Sequence, residues 1–104
     1  MIKSLPLIVP DGCTLSADAL AEQFGRASRL APAVVDVSRS AGRLEIAFGA
    51  GVDDALVREL IATEQTCCTF LALDYSDRVL RIESEDPRGA EVMDRLAGYF
   101  GERR

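Results

Sequence analysis

Alternation of apolar and polar positions over Arg43–Phe48 is the feature that most constrains the fold of this chain. Leu44, Ile46 and Phe48 share one side of an extended backbone, and the residues between them are charged or small. A strand patterned in this way has one face in the core and the other in water. The preceding Ser40-Ala41-Gly42 supplies a turn, so the strand is predicted to form a half-buried hairpin with the valine-rich segment before it.

Helix caps, turn residues and apolar spacing place the remaining elements. Pro6 and Pro10 confine the first predicted strand to a sheet edge or to strand ends. The predicted elements are, in chain order, a strand over Leu5–Val9, a helix from an N-cap at Ser16 to Pro32, strands over Ala33–Ser38 and Arg43–Phe48, a helix from Asp53 to Cys67 or Cys68, a hairpin of Thr69–Tyr75 and Arg78–Ser84, and a last helix that opens at Asp86-Pro87.

This β-α-β-β-α-β-β-α order predicts an α+β two-layer sandwich, with helices over one face of a largely antiparallel sheet. The first six elements fit the ferredoxin-like β-α-β-β-α-β pattern, extended here by a strand and a C-terminal helix. A chain of 104 residues can bury one core, and no linker or low-complexity run divides it. Residues 1–104 are therefore predicted to form a single domain.

The charge balance argues against nucleic-acid and membrane partners. The chain has 12 basic and 17 acidic residues and a net charge of −5, and its longest basic run is Arg103-Arg104. Such a surface repels phosphate backbones and anionic lipids. The apolar run Leu5–Val9 is too short for a signal peptide, and nothing approaches the length of a membrane span. Three cysteines, two of them adjacent, do not suit a secreted disulfide scaffold, so a cytoplasmic protein with reduced thiols is expected.

The chemistry-bearing residues concentrate where the second helix is predicted to end. The apolar stripe of that helix reaches Ile61 and would next present Glu64, with Cys67 and Cys68 three and four positions further on the same face. A carboxylate there can accept a thiol proton or share a metal ion. Two alternatives stay open: Glu64 extends from the margin of the stripe into solvent, and the cysteines pack as small hydrophobic residues.

Cys13 is expected to join this pair. In a ferredoxin-like sandwich the two covering helices run antiparallel, so the start of the first lies near the end of the second. Three thiols without histidine suit soft ions such as Zn(II), Cu(I), Hg(II) and As(III). The candidate metal ligands are therefore Cys13, Glu64, Cys67 and Cys68. Oxidation is the competing thiol chemistry, with Cys13 as the resolving partner.

Hydrolytic catalysis has little support in this sequence. The chain contains no histidine, so neither a Ser-His-Asp nor a Cys-His arrangement can form within it. A cysteine nucleophile would need Glu64 as its base. No catalytic residue and no organic cofactor is predicted.

At Glu64-x-x-Cys67-Cys68-x-Phe70 the sequence resembles a group of small, largely uncharacterised bacterial proteins that carry an E-R-E-C-C-P-F motif. Their domain is similar to one sometimes found behind a MerR-type DNA-binding region. Cys13-Thr14-Leu15 also resembles an early C-x-L element of that group. Thr69 stands where the motif has proline, which weakens the expected helix stop. The resemblance implies sensing of metal, metalloid or oxidant, without the DNA-binding part.

Two functions follow as expectations. The first is a small cytoplasmic thiol domain that binds a soft metal or metalloid ion, or senses oxidation. The second is a non-catalytic interaction or dimerisation module whose cysteines only pack. That module would meet a homodimer or protein partner through an exposed sheet face or the last helix, at residues such as Tyr99 and Phe100.

Overall fold

The computed structural model describes residues 17–103, apart from the side chains of Cys67, Glu102 and Arg103. The predicted strand Leu5–Val9, the N-cap Ser16 and the candidate ligand Cys13 lie outside the described residues. The described elements are α1 (Ala17–Leu30), a 3-10 turn (Ala31–Ala33), β1 (Val34–Ser40), β2 (Arg43–Phe48), α2 (Asp54–Cys67), β3 (Ala72–Ser76), β4 (Val79–Glu83) and α3 (Pro87–Arg103).

The four described strands form one antiparallel sheet in the order β1-β2-β4-β3. The predicted α+β class is confirmed. The finer ferredoxin-like order is not confirmed, because β2 pairs directly with β4. Both predicted hairpins are present, and their turns explain why the chain reverses where it does. In the first turn Gly42 has a φ of +71°, which glycine adopts without strain. In the second turn Asp77 and Arg78 have φ values of 53° and 62°, the positive values at both central residues that a type I′ hairpin turn requires.

One face of the sheet carries the core. Leu44, Ile46 and Phe48 of β2 are buried together with Leu80 and Ile82 of β4, as their alternation predicts. The α3 helix packs on β1 and β2, α2 packs on β3, and α1 packs on α2. The opposite face of the sheet bears charged side chains that form ion pairs within β2 and across neighbouring strands.

Side-chain caps hold the starts of α2 and α3, and the cap predicted at Asp86 is confirmed. The Asp53 carboxylate accepts a hydrogen bond of 3.2 Å from the backbone N–H of Leu56. The Asp86 carboxylate accepts one of 2.8 Å from the N–H of Arg88, and Pro87 occupies the first position of α3. These caps satisfy N–H groups that lack partners within the helix, so the local sequence determines where both helices begin.

The last helix does not offer the contact surface that the interaction-module alternative assigned to it. Tyr99 is 8% exposed and Phe100 is 1% exposed. The Tyr99 ring lies 6.0 Å from that of Phe24 and 5.1 Å from that of Phe100, measured between centroids. Both residues therefore belong to the core between α1 and α3. Within residues 17–103, no helix is long and apolar enough to cross a bilayer.

Candidate thiol site at the end of α2

The end of α2 brings Glu64 and Cys68 together. The helix ends at Cys67, and Cys68 leaves the helical conformation with φ −118° and ψ 79°. The backbone N–H of Cys68 still donates to the Glu64 carbonyl at 2.6 Å, and its own carbonyl accepts from the N–H of Leu71 at 3.1 Å. The predicted helix stop thus holds although Thr69 replaces the proline of the resembling motif.

The Glu64 side chain lies inside the protein, not in solvent. It is 5% exposed, and the Cys68 side chain, 1% exposed, is hydrogen-bonded to its carboxylate. The spacing of four residues places the two side chains one helical turn apart on the same face. The structure therefore rejects the alternative that Glu64 extends into water, and it confirms that this polar position lies on the buried stripe.

Gln23 is a residue of this site that the sequence analysis missed. Its side chain is fully buried, and its amide nitrogen donates to Glu64 Oε2 at 2.9 Å and to the carbonyl of Leu60 at 2.8 Å. Its amide oxygen accepts from Arg26 Nη1 at 2.8 Å. The signal was present in the sequence, because Gln23 follows Leu20 by three positions and interrupts the apolar stripe of α1 as Glu64 interrupts that of α2.

Burial controls the protonation of both reactive groups. It raises the pKa of the Glu64 carboxyl, and the hydrogen bonds from Gln23 and Cys68 only partly oppose that rise. Burial, followed by the charge of Glu64 and the hydrogen bond to it, raises the pKa of the Cys68 thiol to about 12, while Arg88 acts in the opposite direction. Cys68 is therefore a protonated thiol at neutral pH, and it donates its proton to the carboxylate.

The α1 and α2 helices run antiparallel, as the expected convergence of the thiols requires. Gln23 contacts Glu64, and Arg26, three residues later on α1, contacts Glu59, five residues earlier on α2. The start of α1 at Ala17 therefore faces the end of α2. Within the part of the chain that the structure describes, no three His, Cys, Asp or Glu side chains cluster as metal ligands. Cys13 and the side chain of Cys67 lie outside that part.

The start of α3 closes the same end of the domain. The Arg88 guanidinium lies 4.5 Å from the centroid of the Phe70 ring and forms an ion pair of 2.9 Å with Asp86. A groove of about 540 Å³ opens beside these residues, lined by residues 41–43, 69–72 and 83–85. Neither Glu64 nor Cys68 lines this groove, so the groove is separate from the candidate site.

A scan against models of protein families, a search of curated proteins and a search of solved structures each found no match to this chain. The resemblance to the E-R-E-C-C-P-F group therefore stays a prediction. The chemical capacity of the site follows from its residues alone. It comprises a buried thiol, a carboxylate that accepts the thiol proton, and an amide from another helix that orients the carboxylate.

Proposed function

We propose that this chain is a small cytoplasmic thiol domain that binds a soft metal or metalloid ion at the end of α2. The observation that carries the proposal is the buried hydrogen bond between the Cys68 thiol and the Glu64 carboxylate. Cys68 would be one ligand, Cys67 and Cys13 the others, and Glu64 an accessory. Thiolate sulfur selects Zn(II), Cu(I), Hg(II) or As(III) over hard cations.

The protonation of Cys68 favours ion binding over oxidant sensing. Oxidants react with the thiolate, and a thiol whose pKa is raised to about 12 holds very little thiolate at neutral pH. A bound metal ion deprotonates a coordinating thiol outright. On binding of an ion, the proton of Cys68 would pass to the neighbouring Glu64 carboxylate or to water, and the sulfur would donate the electron pair that it keeps to the ion.

The arrangement of the helices supports Cys13 as a further ligand. Because α1 starts at Ala17 beside the end of α2, a residue shortly before Ala17 in the sequence would have a short path to the candidate site. Cys13 lies four residues before Ala17 in the sequence. The resemblance to proteins related to MerR-type regulators agrees with metal or metalloid sensing. Reduced thiols suit the cytoplasm, and the acidic chain is proposed to bind neither nucleic acid nor membrane by itself.

A second function, an interaction or dimerisation module with structural cysteines, is favoured by one observation. Cys68 is 1% exposed and belongs to the hydrophobic core cluster, as a purely structural cysteine would. With Tyr99 and Phe100 buried, the surface left for a partner in this proposal is the outer face of the sheet.

Native mass spectrometry of protein purified without oxygen separates the two functions. Zn(II), Cu(I), As(III) and Hg(II) are added one at a time to the wild type, to Cys67→Ala/Cys68→Ala and to Glu64→Gln. Glu22→Gln is the matched control, because it makes the same charge change at an exposed position of α1. We expect one tightly held ion in the wild type and in the control, none in the double cysteine variant, and weaker binding in Glu64→Gln.

Uptake of no ion by any variant, or equal uptake by all of them, would overturn the metal proposal. The module proposal then predicts a stable dimer on gel filtration. It also predicts a Cys68 thiol that reacts with alkylating agents only after unfolding.

A further inference from the structure

The outer edge of β3 is built to accept another strand. β3 ends the sheet order, and no strand among the described residues pairs with its second edge. A groove of about 300 Å³ separates β3 from α2, with the half-buried side chains of Ile61, Leu73 and Tyr75 among its lining. A row of backbone N–H and C=O groups that no described strand pairs, beside half-buried apolar side chains, is a binding surface for an extended segment.

We propose that residues Leu5–Val9 of the same chain pair with this edge as a fifth, antiparallel strand. This pairing is independent of the proposed function.

The entry point of the chain puts this edge within reach. The Tyr75 hydroxyl donates to Asp54 at the start of α2, so β3 runs opposite to α2 and begins where α2 ends. The α1 helix also begins at that end. Residues 10–16 span up to roughly 23 Å when extended. The path from the start of α1 across α2 to the position beside β3 takes one helix diameter of about 10 Å plus one strand spacing of about 5 Å. That path is shorter than the span of residues 10–16.

The sequence of the segment fits one register class. Pro6 has no N–H to donate, so in the proposed pairing the backbone N–H and C=O positions of Pro6 point away from β3. Leu5, Leu7 and Val9 are then the residues whose backbone groups form hydrogen bonds with β3. Along a strand, the direction of the backbone N–H and C=O groups and the face of the side chain both alternate with a period of two residues. The three bonded residues are thus also those that share a face, and all three have apolar side chains that suit the groove beside α2.

The other end strand of the described sheet, β1, suits the segment less well. The pairing of β1 with β2 contains a bulge between Val34 and Asp36, and β1 presents the charged Asp36 and Arg39. Bulges and charged residues are features that discourage pairing at sheet edges. We therefore assign the segment to β3.

Paramagnetic relaxation on metal-free protein tests the placement. A nitroxide is attached at Ile8→Cys in a Cys13→Ser/Cys67→Ser/Cys68→Ala background whose amide spectrum shows that it is folded. In the proposed register Ile8 faces away from the groove, so the label should not disturb docking. A segment paired with β3 lies about 5 Å from β3 and about 19 Å from β1. We expect strong broadening of the amide signals of β3 and much weaker broadening of those of β1.

Hydrogen exchange on the full chain with its native cysteines gives a second measurement that needs no label. Leu7→Asp should release the segment and accelerate exchange of β3 amides, with β1 unchanged. Ile8→Asp is the matched control and should have a much smaller effect. Broadening centred on β1, broadening spread over the surface, or equal exchange in the two variants would overturn the proposal. Because no ion is present, these outcomes are independent of whether the thiols bind one.

Discussion

Carboxylates occupy two contrasting regions of this molecule. Glu64 is 5% exposed, and its partners are an amide and a thiol. On the outer face of the sheet, Glu45 and Glu83 are far more exposed, and their partners are guanidinium groups. Arg81 Nε lies 3.5 Å from Glu45 Oε2, and Arg43 donates to Glu83.

The difference lies in what compensates the charge. Water and cations surround the outer carboxylates, so their ionised form costs little. Neutral donors surround Glu64, so burial dominates and raises its pKa. A protein that needed only stability would fill this stripe position with an apolar residue. A carboxyl group kept beside a thiol in the interior is therefore better explained by chemistry at the site than by folding.

The largest effect should come from removing the amide donor of the buried region. Gln23→Leu keeps the volume nearly constant but leaves the Glu64 carboxylate without its hydrogen bond from α1. Loss of one partner of a buried charged group costs about 3 kcal/mol. We expect the free energy of unfolding, measured by urea denaturation at neutral pH, to fall by about that amount.

The double variant Gln23→Leu/Glu64→Leu provides the control for this prediction. Replacing both polar partners with apolar residues can be nearly neutral, so the pair should recover most of the lost stability. If the single variant costs as little as an exposed substitution, the network is not buried as described and the contrast between the two regions fails.

A second prediction tests the close packing where α3 starts. A Cβ at Gly89 would lie 2.1 Å from Ser84 Oγ and 2.3 Å from Ser84 Cβ. Ser84 is held there because its hydroxyl donates to the carbonyl of Phe70 at 2.7 Å. We expect Gly89→Ala to destabilise the protein by about 2 kcal/mol, a typical cost of overpacking.

Gly98 of the same helix is the matched control for Gly89. Nothing lies within 4 Å of a Cβ at Gly98. The higher helix propensity of alanine should make Gly98→Ala stabilising by about 0.5–1 kcal/mol. Thermal or urea unfolding of the two variants should show opposite signs, and two effects of the same sign would contradict the packing at the start of α3.

A third prediction concerns pH. The folded state holds the Glu64 proton more tightly than the unfolded chain does, because burial raises the pKa above its ordinary value of 4.5. The stability from this group is fully present below pH 4.5 and is lost as pH rises through the folded pKa. Glu64→Gln should flatten that decline in the free energy of unfolding. The pKa of Asp86 is lowered to about 2, so its own window lies below this range. Parallel curves for wild type and variant would contradict the raised pKa.

Local sequence predicted the elements of this fold better than their arrangement. The helix start at Asp53, the Asp86 cap and the alternation of β2 act over a few residues, and the structure confirms them. The direct pairing of β2 with β4 depends on contacts between distant segments, which no local pattern encodes. Tyr99 and Phe100 could belong to the core or to a contact face, and the structure buries both, with the Tyr99 ring against that of Phe24.

The candidate site shows the same limit. Glu64 and Cys68 could be paired from their spacing because Glu64 lies in the last turn of α2 and Cys68 directly follows that helix. Gln23 could be noticed as a polar residue on an apolar stripe, but its partner lies 41 positions away in the sequence. A hydrogen bond across two helices requires the helix packing to be known, so the sequence indicated each polar position separately and could not join them.

The smallest effect is expected on the outer face of the sheet. Arg81 lies 3.5 Å from Glu45 and 3.7 Å from Asp74, and its side chain is 35% exposed. Arg81→Gln should lower the free energy of unfolding by less than about 1 kcal/mol, because exposed ion pairs gain little over hydration. The loss should shrink further in high salt, which screens these charges, whereas the cost of Gln23→Leu should persist. A loss at Arg81 as large as that at Gln23 would mean that this face is covered in solution, as the interaction-module function requires.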